Sequence, residues 1–116
     1  MTRTTISPDQ PVVTLINTFT VAPERQDELV RALVEATERV IRHVPGFVSA
    51  NIHRGLDGTR VANYAQWRSR EDFEAMLRDP ACQEHMRQAG AIATSFDPQL
   101  YVVADVIGVD AAPAGS

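Results

Sequence analysis

The sequence predicts an α+β domain: a four-stranded antiparallel sheet with helices packed on one face. Three observations predict it. Val12–Thr20 is a run of β-branched and aromatic residues. A helical-period stripe follows after Pro23. Asp57-Gly58 then sits between two strand-like runs, a strong hairpin signal.

Taken in order, Val12 to Thr20 reads as the first strand. Pro23 suits a first helical turn, and Glu24 favours a helix N-terminus. Leu29, Leu33, Val40 and Val44 recur at helical spacing, with Val30, Val34, Thr37 and Ile41 beside them. Arg31, Glu35, Glu38, Arg39 and Arg42 decorate the remaining surface. Pro45-Gly46 stops that helix. Phe47 to Arg54 and Val61 to Arg68 read as paired strands.

Two hairpin registers are open. A two-residue loop pairs His53 with Ala62. A three-residue loop, with Gly58 left-handed, pairs His53 with Val61, Asn51 with Asn63 and Phe47 with Trp67. The second is favoured because it gathers Ser49, Asn51, His53, Asn63 and Trp67 on one polar face. A one-residue slip moves every side chain to the other face.

Ser69 to Asp72 is a capping-box variant that starts a second helix, with Phe73, Met76 and Leu77 on its apolar side. Asp79 and Pro80 suit the N-cap and first position of a third, whose Cys82, Met86, Ala89 and Ala93 share a stripe. After Pro98, Leu100 to Ile107 reads as the last strand. Residues 1–11 read as a flexible arm, 12–107 as the domain and 108–116 as a disordered tail. The order strand, helix, strand, strand, helix, strand is the split βαβ or ferredoxin-like arrangement. Its helix-free face must be solvated or covered, and apolar residues there predict a dimer through the sheets.

Composition narrows the function. The 116 residues carry a net charge of -4, so the basic footprint of a nucleic-acid binder is absent. No apolar run approaches the roughly 20 residues of a membrane span, and the N-terminus has no apolar signal core. One cysteine, Cys82, excludes an intrachain disulfide and suits a reducing cytoplasm. All eleven cations are arginine, so no lysine Schiff base or P-loop lysine is available. The six glycines are scattered, without a dinucleotide loop. His43, His53 and His85 fall on separate elements, and nothing in their spacing indicates a metal site.

Three residues carry chemical interest. His53 is mid-strand, either a hydrogen-bonded structural histidine or a proton acceptor. Asn63 is a poor strand former in a central strand, so it either satisfies neighbouring groups or binds a ligand oxygen. Trp67, the only tryptophan, has an indole N–H that needs a partner and a ring that suits an aromatic ligand.

Asn63-Tyr64-Ala65-Gln66-Trp67, with Val44-Pro45-Gly46-Phe47, Ser49-Ala50, His53 and Asp57-Gly58-Thr59, resembles the antibiotic biosynthesis monooxygenase (ABM) family over about residues 12–107. The nearest branch is the cofactor-free oxygenases of anthrone-type aromatic polyketides. The resemblance implies a dimeric α/β barrel of ferredoxin-like subunits, a homodimer that needs only an aromatic substrate and O2. It implies neither cofactor nor metal. It places Asn63, Trp67 and His53 in the pocket and matches Arg87 to a last-helix arginine. The implied roles are hydrogen bonds to ring oxygens from Asn63 and Trp67, proton transfer by His53 and charge compensation by Arg87. Asn51, Asn17, Tyr64, Phe73, Met76 and His85 are the expected substrate contacts. Phe73 stands where the polyketide oxygenases carry Tyr.

Two rival readings accompany it. Haem-degrading monooxygenases of the same fold resemble this chain at Asn17 and His85, but their helix Trp falls near Met76 here. A non-oxidative polyketide cyclase or binding module would use a similar polar pocket.

Overall fold

The structure is a computed structural model, and it describes residues 2–109. The strands are β1 (Val13–Thr20), β2 (Phe47–Arg54), β3 (Arg60–Trp67) and β4 (Ser95–Tyr101). The helices are α1 (Gln26–Arg39), α2 (Arg70–Leu77) and α3 (Pro80–Ile92). The strands form one antiparallel sheet in the order β2-β3-β1-β4. This is the expected ferredoxin-like α+β arrangement, with the second helical segment divided in two.

That division is written in the caps. Ser69 Oγ accepts from the Asp72 N–H at 3.1 Å and starts α2. Asp79 Oδ1 accepts from the Cys82 N–H at 3.0 Å and starts α3, with Pro80 in its first turn. The first helix is shorter than the periodicity predicts. It ends at Arg39, and Ile41–His43 form a 3-10 turn. Val40 and Ile41 are β-branched, and Pro45 pushes Val44 out of helical geometry, to ψ 151°.

The last strand corrects the expected one. It runs over Ser95–Tyr101, not Leu100–Ile107, with Pro98 in its middle opposite Asn17. β4 is an edge strand, where alternate N–H groups point away from the sheet and a proline is tolerated. Tyr101 already pairs with Thr14, near the start of β1, so the chain beyond it has no strand to join. Of the expected tail at 108–116, residues 110–116 lie outside the described residues.

The hairpin takes the register that the polar-face argument rejected. His53 pairs with Ala62 and Ile52 with Asn63. Gly55 N–H donates to Arg60 O at 2.8 Å and closes a loop over residues 56–59. Asp57 Oδ1 accepts from the Thr59 N–H, and Gly58 sits at φ 82°. A bulge between Phe47 and Ser49 then shifts the register by one, so that Phe47 still faces Trp67.

Strand alternation now assigns every side chain. Leu15, Asn17 and Phe19 of β1 share the helix-facing side with Val61, Asn63, Ala65 and Trp67 of β3. Ala50, Ile52, Phe96, Pro98 and Leu100 join them from the flanking strands. Two apolar clusters pack there. One holds Leu15, Ala65, Trp67, Phe73, Met76 and Cys82; the other holds Phe19, Val21, Leu29, Val61 and Ala89. Burial pushes the Cys82 thiol up to about 11, which makes it an unreactive core residue.

On the opposite face, residues from the N-terminal arm lie across the sheet. Thr4 Oγ1 donates to Asn51 Oδ1, and Gln66 Nε2 donates to Thr5 O at 2.7 Å. At the far edge, buried Gln26 at the start of α1 ties the helix to the hairpin. Its Nε2 donates to Gly55 O at 2.9 Å and Arg60 O at 3.0 Å. Gln26→Ala should lower the unfolding free energy by about 1–2 kcal/mol, read as a lower urea midpoint.

Candidate active site

Members of both apolar clusters enclose a cavity of about 260 Å³ between the sheet and the helices. That is close to the lower end of small-molecule pockets, roughly 300–1,000 Å³. Small residues leave the space open: Ala36 on α1, Ala50 on β2, Ala65 on β3, and Ala89 and Gly90 on α3. Phe47, Trp67, Phe73 and Phe96 supply aromatic walls. Trp67 is held nearly edge-on by two rings, Phe47 at 5.6 Å and 88° and Phe73 at 6.0 Å and 65°.

The polar part of the wall is sparse and unpartnered. Asn17 and Asn63 face each other across β1 and β3. Their Oδ1 atoms are buried without a hydrogen-bond partner, and so is Trp67 Nε1. Trp67 is only 1% exposed. Orphaned buried polar groups destabilise a fold by about 1–3 kcal/mol each. Three of them border one cavity: two acceptors and one donor.

Of the expected site residues, Asn63, Trp67, Asn17, Phe73, Met76 and His85 line this cavity. His53, Asn51, Tyr64 and Arg87 do not. The observed register puts Asn51, His53 and Tyr64 on the opposite face of the sheet, which corrects the expectation that His53 and Asn63 share a face. His53 Nδ1–H donates to Asn51 O at 3.0 Å. Asn51 Nδ2 donates to Ser49 Oγ and Tyr64 O, and its Oδ1 accepts from Thr4. Arg87 is two residues from His85 on α3, and residues so spaced do not share a helix face. It lies exposed, donating to both carboxylate oxygens of Glu84 at 2.8 and 3.1 Å, and holds that carboxyl down to about 2.

The lining residues that sequence reasoning missed include the small ones, Phe47, Met86 and Phe96. Ala65 in a central strand, where a large apolar side chain would fill the core, is the signal that could have found the void. Phe96 was hidden by misplacing the last strand. Among the described residues no cluster of three His, Cys, Asp or Glu side chains could hold a metal ion.

Fold and cavity define a ferredoxin-like domain with a largely apolar, aromatic-walled cavity that carries two amide oxygens and one indole N–H. The sequence pattern of the antibiotic biosynthesis monooxygenase family matches residues 12–88, and the chain belongs to that family. It is 58% identical over 81 residues to tetracenomycin-F1 monooxygenase of Streptomyces glaucescens, an alignment covering 70% of this chain and 72% of the relative. Among solved structures it is similar to the ActVA-Orf6 monooxygenase of Streptomyces coelicolor in complex with nanaomycin D. That match has a TM-score of 0.77 and 29% identity, over 86% of this chain and 96% of the other. An anthrone oxidase-like protein matches with a TM-score of 0.74 and 28% identity, over 82% of this chain and 40% of its own.

The orphaned amides make an opposed prediction for stability and binding. Asn63→Leu, with the same number and branching of side-chain heavy atoms, should raise the unfolding free energy by about 1 kcal/mol while weakening ligand binding. A loss of stability in chemical denaturation would show instead that Asn63 has a structural partner.

Proposed function

We propose that this monooxygenase oxidises a fused-ring phenolic polyketide of the anthrone type to a quinone, taking the electrons from the substrate and no cofactor. The observation that carries this reading is the complement of the three orphaned atoms. Two amide oxygens call for ligand hydroxyls, and the indole N–H calls for a carbonyl or phenolate oxygen. An aromatic ring system bearing both fits a cavity walled by Phe47, Trp67, Phe73 and Phe96. The relatives that act on or hold tetracenomycin F1 and nanaomycin D support the same class.

The chemistry needs little else. Deprotonation makes the ring system electron-rich enough to pass one electron to O2. The resulting carbon radical and superoxide combine to a peroxide. Loss of water, with cleavage of the O–O bond and departure of the remaining C–H proton, leaves the new carbonyl. The sum is one CH2 and one O2 giving one C=O and one water. Trp67 Nε1–H donates to the oxygen on which charge develops, the Asn63 and Asn17 amide oxygens accept from hydroxyls that stay protonated, and the apolar wall keeps water away. Phe73 offers no hydroxyl, so it shapes the site and donates no proton.

We also propose a cytoplasmic homodimer. Ile16, Tyr64 and Tyr101 lie on the helix-free face of the sheet, and Tyr101 is about half exposed. A second copy would cover them. Sedimentation equilibrium should then return twice the 12.8 kDa of one chain.

The function is tested by oxygen uptake of the metal-stripped protein on dithranol, a dihydroxyanthrone, corrected for autoxidation. Protein-dependent uptake with a quinone product is expected, and Trp67→Phe, which removes the indole donor, should lower kcat by about 10²–10³-fold. Saturable binding without uptake would favour a cyclase or carrier.

A further inference from the structure

His85 is the one titratable side chain lining the cavity among the described residues. Every other group in the wall is apolar, an amide, an indole or the Thr37 hydroxyl, and that hydroxyl is spent on Leu33 O at 2.8 Å. None of these exchanges a proton with a phenol under ordinary conditions. His85 reaches the cavity because α3 presents it on the same stripe as Met86, Ala89 and Gly90. It is half-buried and has no hydrogen-bond partner among the described residues. No charged residue of β1, β3, β4, α1 or α2 lines the cavity beside it; on its own helix Glu84 precedes it, paired with Arg87.

We propose that His85 is the catalytic base of the oxidation and, once protonated, the counter-charge of the substrate anion. This rests on the oxidation reading above. One imidazole then performs both roles that the sequence assigned to His53 and Arg87. The neutral ring takes the proton of the bound phenolic anthrone. The imidazolium so formed is the only cation lining the cavity among the described residues, and an unpaired phenolate there would be strongly disfavoured. After the substrate anion has reduced O2 and the C–O bond has formed, the imidazolium returns its proton to the peroxide anion. The neutral ring then takes the remaining C–H proton as the O–O bond breaks, and the departing hydroxide receives it as water. His85 ends as it began.

The test separates base from oxygenase. Dithranol is titrated into the full-length protein under nitrogen, and its anion is followed by the red-shifted absorbance. Oxygen uptake is measured in parallel. Wild type and His43→Gln, an exposed histidine outside the cavity wall, should both ionise the bound ligand. His85→Gln should bind dithranol with comparable Kd, show no anion band and lose about 10²–10⁴-fold in kcat with little change in KM. In His85→Ala, added imidazole should restore both the band and the uptake. The proposal is overturned if His85→Gln ionises and oxidises dithranol as wild type does, or if His53→Gln abolishes the anion band and His85→Gln keeps it. Ionisation by wild type but not by His85→Gln, without oxygen uptake by wild type, would defeat the oxidation reading and leave His85 as the base toward the bound phenol.

Discussion

Everything at the site depends on the alternation of one strand. β3 lies inside the sheet, paired on both edges, so its register fixes which residues meet the helices. Val61, Asn63, Ala65 and Trp67 face inward together. A slip of one residue would turn Ala62, Tyr64 and Gln66 toward the helices instead and remove the site entirely. The register is held at the turn by the loop around Gly58 and by Gln26, and at the other end by the bulge that sets Phe47 against Trp67.

The two faces of the sheet treat the same residue type in opposite ways. On the outer face, Asn51 uses both ends of its amide, bonded to Thr4, Ser49 and Tyr64 O, in a chain that reaches Gln66 and Thr5. Such an amide is structural, because each hydrogen bond it would offer a ligand is already taken. On the inner face, Asn17 and Asn63 oppose each other with their oxygens unpartnered. The fold tolerates that cost only if something in function repays it. Polarity alone did not distinguish these asparagines; satisfaction did.

The charge distribution follows the same logic. The arginines lie on the outside, and several pair with nearby carboxylates: Arg25 with Glu28, Arg68 with Asp72, Arg87 with Glu84. The cavity wall keeps a single ionisable group among the described residues. An anion formed there would meet the Trp67 N–H and one imidazole. A reaction whose electrons come from the substrate suits such a wall, since it asks for deprotonation and exclusion of water.

The sequence by itself determined the element order, both helix caps, the α+β class and the family, because these rest on local signals: periodicity, Ser69 and Asp79 as caps, Pro45-Gly46 as a stop, and the Asn63-to-Trp67 strand. It also marked Asn63 as out of place in a central strand. Tertiary structure decided the hairpin register, the place of the last strand and the membership of the site. The reason is physical. A strand's period of two is blind to which face is the core until its partners are known, and Pro98 is acceptable only once β4 is seen to be an edge. His53 and His85 look alike as letters. Only the packing of β2 and α3 sends one to the outer face and the other into the cavity.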